Sequence, residues 1–275
     1  MHTHSQPIGA RLEFSNIRQT FSDTVSIEAN KLVIEPGSLT VLLGRSGCGK
    51  TTLLNFAAGL VFPDQGQVRY DNQILQSPAP STALIFQTHN LFPWMTAIEN
   101  VAFPLRNQGM KKTAAFTHAR HYLEQVGLTA FAQHKPAQLS GGMRQRVALA
   151  RTIAMQPRLL LLDEPFSALD MQTRRMMQRY LLRIWQDSAA TILMITHDLH
   201  EALMLADRIA LMASSPNGHI AQILDIGLER PRNPEDPLFR TIQQQLDRFL
   251  EHETLQAEHA PAPELTDSQS KYTRK

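Results

Sequence analysis

The segment Gly44-Arg45-Ser46-Gly47-Cys48-Gly49-Lys50-Thr51 constrains this chain more than any other. It fits G-x-x-x-x-G-K-[ST], follows the apolar run Val41-Leu42-Leu43, and precedes a helix predicted from Lys50 to about Ala58. Strand, glycine loop and helix in that order turn successive backbone N–H groups toward an anion at a helix N-terminus. Lys50 then reaches the β- and γ-phosphates of a nucleoside triphosphate, and the Thr51 hydroxyl ligates Mg²⁺. The expected phosphate cradle spans Gly44, Arg45, Ser46, Gly47, Cys48, Gly49, Lys50, Thr51 and Thr52. Alone, this loop implies nucleoside triphosphate binding and no particular reaction.

The rest of the chain alternates strands with helices. Leu12 and Phe14, then Val25 and Ile27, alternate with polar neighbours as short strands, and Pro36-Gly37 marks a turn. Gln67 to Tyr70 and Ala83 to Phe86 read as further strands. From about Thr88 to Gln156 the pattern is helical. Ile98, Val101, Ala102 and Leu105 share one face, with Pro104 expected to kink or shorten that helix. Phe116, Ala119, Leu123 and Val126 line a second helix, with Thr113 as N-cap and Gly127 as C-cap; Val147, Ala150 and Ala154 line a third. Leu159–Leu162 and Thr191–Thr196 are buried strands. A Met176, Met177, Tyr180, Leu181, Ile184 stripe predicts a core-facing helix between them, and Leu199, Ala202, Leu203 and Ala206 stripe the helix that follows. Such alternation predicts an α/β fold with a mostly parallel sheet.

Composition narrows the function class. A hydrophobic fraction of 43% supports a packed core, and a net charge of +2 is no electrostatic footprint for nucleic acid. One cysteine, Cys48, excludes an internal disulfide and fits a reducing compartment. Its position in the loop suggests a nucleotide-protected alkylation site. The polar stretch from Met1 to Ala10 predicts no secretory signal, and the apolar runs fall far short of the ~20 residues of a membrane span.

Two further segments carry chemistry. Leu159-Leu160-Leu161-Leu162-Asp163-Glu164 ends a buried strand in adjacent carboxylates. Asp163 is positioned to hold Mg²⁺ through water, and Glu164 to act as general base for an attacking water, a role worth roughly 10²–10⁴ in rate. In Leu139-Ser140-Gly141-Gly142-Met143-Arg144-Gln145, Ser140 is an N-cap and the glycines expose N–H groups at a helix start. That is a second anion-binding helix N-terminus. His197-x-x-His200 has helical spacing but no carboxylate arrangement that demands zinc, and Lys111-Lys112 is a solvated pair.

Leu-Ser-Gly-Gly with a following Gln145-Arg146, between the phosphate loop and the Asp-Glu strand, resembles the signature motif of ATP-binding cassette (ABC) ATPases. Gln87 resembles that family's Q-loop glutamine, which binds the Mg²⁺/γ-phosphate region. Ser167-Ala168-Leu169-Asp170 resembles the D-loop, and His197 resembles the switch histidine that contacts the γ-phosphate. Phe21 stands where the family usually carries a tyrosine stacked on adenine, and keeps the stacking face. The resemblance covers roughly Leu12 to Leu250. It implies a P-loop NTPase fold with a mostly parallel core sheet, an N-terminal antiparallel β subdomain and an inserted helical subdomain. It also implies two cassettes dimerising head to tail, each ATP lying between one P-loop and the partner's Ser140, Gly141 and Gly142. With no internal repeat in the chain, the simplest such dimer is a homodimer.

Phe86-Gln87, then Leu91-Phe92-Pro93-Trp94, Glu99-Asn100-Val101, His197-Asp198, Glu201-Ala202-Leu203, Ala206-Asp207-Arg208 and Pro231-Arg232 are similar to the nitrate/sulfonate/taurine-type importer ATPases. That likeness implies a peripheral subunit on the cytoplasmic face of the inner membrane. It would bind a transmembrane permease, with the Phe92–Trp94 segment docking the coupling helix, and would be served indirectly by a solute-binding protein. Core packing is the competing role for Trp94. The expected organisation is an ATPase domain over 11–250, with core 11–87 and 157–230, helical subdomain 88–156, extension 231–250 and a disordered tail over 251–275. The rival reading is a soluble ABC-type ATPase acting on nucleic acid or ribosomes, or an exporter ATPase. Against the first, Asp163 follows Lys50 by 113 positions with no heptad run in that stretch, and near-neutral charge disfavours a nucleic-acid grip.

Overall fold

A computed structural model describes residues 9–22, 25–86, 90–214 and 217–259. Strands β1 (Leu12–Ser22) and β2 (Val25–Ile34) pair antiparallel, and β1 pairs on its other side with β4 (Gln65–Tyr70), which carries the short β5 (Gln73–Ile74). The parallel part comprises β3 (Leu39–Gly44), β6 (Thr82–Ile85), β7 (Leu159–Asp163), β8 (Thr191–Thr196) and β9 (Arg208–Ala213). Strand β10 (Gly218–Asp225) joins the halves, antiparallel to β9 and parallel to β2. The order is β5-β4-β1-β2-β10-β9-β3-β8-β7-β6, one continuous sheet.

Alternation along the central strands divides the core. Leu160 and Leu162 of β7, with Ile192 and Met194 of β8, face one apolar cluster; Leu159, Leu161, Leu193 and Ile195 face the other. Both faces being covered is why these strands read as unbroken apolar runs. The second cluster receives α1 (Lys50–Ala58) through Leu53, Leu54 and Phe56. The first receives the helical insert α2 (Ala97–Asn107), α3 (Lys112–Gln125) and α4 (Gly141–Ala154), together with α5 (Met171–Ser188) and α6 (Leu199–Leu205).

Several local expectations change. Helix α3 starts at Lys112 without a side-chain cap, so Thr113 is inside the first turn; its C-cap is Val126, and Gly127 follows one residue beyond, at φ +69. Helix α2 runs through Pro104 to Asn107, held at its start by a Thr96/Glu99 capping box. Met176 is exposed, because it lies about 100° around α5 from the buried Met177. The proline-rich stretch leads into α7 (Pro237–His259), far longer than the short helix expected. Residues 251–259, read as tail, are helical, and Glu253 is buried with Oε2 accepting from Ser214 N at 3.0 Å. The tail from 260 onward lies outside the described residues.

Candidate active site

The end of β3 delivers the chain into the glycine loop and α1. At Gly44 a Cβ would lie 2.5 Å from the Met212 carbonyl oxygen, so only glycine permits β3 and β9 to approach there. Gly47 and Gly49 have φ of +86 and +99, and a Cβ at Gly47 would meet nothing within 4 Å. That open, left-handed turn is the concavity an anion nest requires. Lys50 Nζ donates to the Gly44 and Arg45 carbonyl oxygens at 2.8 and 2.7 Å, which holds a buried ammonium inside the loop.

Beside it opens a cavity of about 390 Å³. Ser46, Gly47, Gly49, Lys50, Thr51 and Thr52 of the loop and helix line it together with Asp163, Glu164 and Phe21. Phe21 is 57% exposed, an apolar ring among the residues lining a largely polar cavity. Thr51 Oγ1 donates to Asp163 Oδ2 at 3.3 Å. Burial pushes the Asp163 carboxyl above its ordinary range; the Thr51 hydrogen bond opposes this, Glu164 adds to it and Lys50 opposes it. A buried carboxylate beside a hydroxyl is a fitting pair of hard oxygen ligands for a divalent cation that takes its remaining ligands from phosphates and water. Among the described residues no cluster of three His, Cys, Asp or Glu side chains could hold a metal by itself.

Glu164 begins where β7 ends, at φ +47. Its Oε1 is 2.9 Å from His197 Nδ1, just beyond β8. His197 is exposed and lines a smaller recess with Glu164, Ser167, Arg174 and Asp198, not the main cavity. Asp198 in turn caps α6 and receives Arg174 Nη1 at 3.2 Å.

Ser140 caps α4, its Oγ accepting from Met143 N at 3.2 Å. Neither Ser140, Gly141 nor Gly142 lines the phosphate-loop cavity. Gly44, Arg45 and Cys48 do not line it either; Gly44 and Cys48 are buried, and Arg45 Nη1 approaches the Glu253 carbonyl at 3.5 Å. Cys48 is fully buried, and burial pushes its thiol above the ordinary value, which argues against the alkylation role suggested by sequence. Gln87, expected near the metal and γ-phosphate, lies outside the described residues. Sequence reasoning missed Ser26, Ile27, Ser214, Asn217 and Gly218, which form the wall facing the loop. They arrive through β2, β9 and β10; the available signal was the turn-forming sequence Ser214-Ser215-Pro216-Asn217-Gly218 that follows the apolar run of β9.

A second surface lies on the helical insert. Asn100 is completely buried and holds the preceding segment: Oδ1 accepts from Phe92 N at 2.8 Å, and Nδ2 donates to the carbonyls of Phe92, Met95 and Thr96. Phe92 stacks edge-on to Phe103 at 4.8 Å. Trp94, anchored by this turn, is 66% exposed, so core packing is not its role.

Comparison with known proteins agrees with this geometry. The family model described as ABC transporter matches residues 27–167. The chain is 42% identical over 230 residues to the bicarbonate transport ATP-binding protein CmpD of Synechocystis sp., covering 82% of each chain. It is 41% identical over 250 residues to the nitrate import ATP-binding protein NrtD of Synechococcus elongatus, covering 87% of this chain and 91% of that one. Among solved structures, a dimeric post-hydrolysis state of the ATP-binding cassette MJ0796 bound to ADP and Pi superposes with a TM-score of 0.71. It is 30% identical, over 79% of this chain and 100% of that one.

Proposed function

The chain belongs to the ABC transporter family, and from that membership we propose that it is the ATP-hydrolysing subunit of an importer, working on a separate membrane permease. The solute we propose is a small oxyanion of the nitrate, bicarbonate or sulfonate/taurine kind, delivered by a solute-binding protein. Support for the solute class comes from the nitrate and bicarbonate relatives, since the solute itself does not touch this subunit.

One observation carries the ATPase reading: the phosphate loop, Asp163 and Glu164 share a cavity that no signature residue reaches. Each chain thus offers a P-loop half-site and a separate signature half-site, and a head-to-tail homodimer joins them around two ATP molecules. The dimeric MJ0796 cassette supports this arrangement.

In this reading the ATP phosphates enter the Gly47 turn and Lys50 exchanges its two carbonyl partners for phosphate oxygens. Phe21 stacks on the base. Thr51 and Asp163 would hold Mg²⁺, with Gln87 the further ligand that the family resemblance implies, and the ion would supply charge neutralisation at the β- and γ-phosphates. Glu164 takes the proton of the attacking water, and His197, already paired with it, contacts the γ-phosphate. Ser140, Gly141 and Gly142 of the partner present N–H groups from the opposite side. Closure then moves the helical insert and, through the exposed Trp94 platform, the permease. The same reading makes the chain peripheral to the cytoplasmic face of the inner membrane; no helix of the described residues is long and apolar enough to cross a membrane.

The test is an affinity pull-down of tagged Glu164→Gln protein from detergent-solubilised membranes with ATP, identified by mass spectrometry. A small polytopic permease among the captured proteins is the expected result. Capture of ribosomal or DNA-associated partners alone would overturn the transport reading and leave the ATPase chemistry standing.

A further inference from the structure

Gln145 joins the signature helix to the chain's own catalytic strand end. It lies in α4, is 3% exposed, and uses both ends of its amide. Nε2 donates to the Glu164 carbonyl at 3.2 Å, and Oε1 accepts from Ala168 N at 3.2 Å. One neighbour offers only a carbonyl and the other only an N–H, so the amide orientation is determined.

The residue it grips is under backbone constraint. Glu164, at φ +47, adopts a left-handed conformation that a glutamate keeps only when its surroundings hold it. Its N–H donates to the Ile195 carbonyl at 3.1 Å, and its carbonyl accepts from Ser167 N at 3.3 Å and Ser167 Oγ at 3.1 Å. Gln145 adds a hydrogen bond from a different subdomain, the helical insert. A second contact lies one turn earlier on the same helix: a Cβ on Gly142 would stand 3.1 Å from Leu169 Cδ2 and 3.2 Å from the Ala168 carbonyl oxygen. Helix α4 therefore rests on the 167–170 loop at two points, and one of these extends to Glu164.

We propose that Gln145 is a positioning residue that couples the two nucleotide sites of the dimer. The inference rests on the head-to-tail reading, in which the α4 N-terminus touches the nucleotide bound by the partner. A shift of α4 on meeting that nucleotide passes through the buried amide to the Glu164 backbone. The carboxylate that acts on this chain's own ATP is then aligned only when the opposite site is filled. Packed helices and buried hydrogen bonds transmit such shifts because they have few alternative arrangements.

The test is steady-state ATPase activity against ATP concentration for the unmodified chain, Gln145→Glu and Gln145→Leu, with melting curves for each. Gln145→Glu keeps the acceptor for Ala168 N and loses the donor to Glu164; Gln145→Leu removes both without burying a charge, should the first variant fold poorly. The unmodified chain should show a sigmoidal ATP dependence. In folded variants kcat should fall about tenfold, KM should stay within about twofold, and the curve should become hyperbolic. A full kcat, a raised KM with kcat intact, or a retained sigmoid would each overturn the coupling. A Glu164→Gln chain that fails to dimerise with ATP would instead overturn the head-to-tail reading, and the coupling with it. Normal dimerisation beside unaltered Gln145 variants removes the coupling alone.

Discussion

His197 Nδ1 stands 2.9 Å from Glu164 Oε1, so the proposed base and the proposed γ-phosphate contact are one hydrogen-bonded unit before any nucleotide arrives. The ends of the adjacent strands β7 and β8 bring them together. Groups that act as a unit lose most of their effect when either is removed. Glu164→Gln should lower kcat by roughly 10²–10⁴. His197→Ala should approach that loss, and the double variant should be little worse than the poorer single one. Turnover measured on the three purified variants decides this; independent, multiplying losses would separate the two residues.

Lys50 has two tasks in sequence. Without nucleotide it satisfies the Gly44 and Arg45 carbonyls, so Lys50→Ala should destabilise the nucleotide-free chain by about 1–3 kcal/mol. With nucleotide it binds phosphate, so ATP should raise the melting temperature of the unmodified chain and not of the variant. A thermal-shift titration reads both effects. An ATP-induced shift that survives Lys50→Ala would remove it from the phosphate site.

The parts of this architecture legible in the sequence are those where one local rule dominates. Helix α1 and strand β8 have the predicted limits, because a glycine loop opens the first and an unbroken apolar run spans the second. Ser140 caps α4 as its side chain suggests. What could not be read depends on pairing distant segments. The cavity wall at Ser26, Ile27 and Gly218 exists because β10 runs parallel to β2, a contact with no local signature. The Gln145 bridge needs α4 and the loop after β7 folded together. Nor does the sequence show that α7 reaches back to Ser214 and Arg45 through Glu253.

Cys48 illustrates the same limit, since its motif position suggests access while the fold denies it. Alkylation by iodoacetamide should be slow in the folded chain with or without ATP, and rapid in denaturant. Fast labelling that ATP suppresses would contradict the buried placement.

Glu201 gives the stability a pH dependence. Burial raises its carboxyl above the ordinary 4.5, against the lowering hydrogen bonds of Thr196 and Gln178. The folded chain therefore binds this proton more tightly than the unfolded chain. Its contribution is most favourable below the unfolded value and is lost as pH rises through the raised folded value. Glu201→Gln, which cannot ionise, should melt at a temperature that gains on the unmodified chain as pH rises from about 4.5 toward neutrality. Melting curves across that range provide the check, and a constant difference would mean that Glu201 does not titrate there.

Arg232 anchors the C-terminal extension. Its guanidinium is buried and donates to the carbonyls of Leu203, Ile226 and Leu228; burial, then the Arg230 charge, lowers its pKa to about 10. Arg232→Ala strands three acceptors and should destabilise the chain by about 2–4 kcal/mol. ATPase activity per folded molecule should not change. Denaturant titration alongside turnover distinguishes this structural role from a catalytic one.

A nucleotide site completed by the partner chain makes the association of Glu164→Gln with saturating ATP and Mg²⁺ the decisive observable, read by sedimentation velocity. Glu164→Gln should be a dimer with ATP and a monomer without it. Adding Gly141→Asp should abolish the dimer while ATP still binds: a Cβ there meets nothing nearer than Arg144 Nη2 at 3.9 Å, so the fold tolerates it while the carboxylate opposes the partner's phosphates. A Glu164→Gln chain that stays monomeric with ATP, or a dimer that persists with Gly141→Asp, would contradict a site completed by the partner chain.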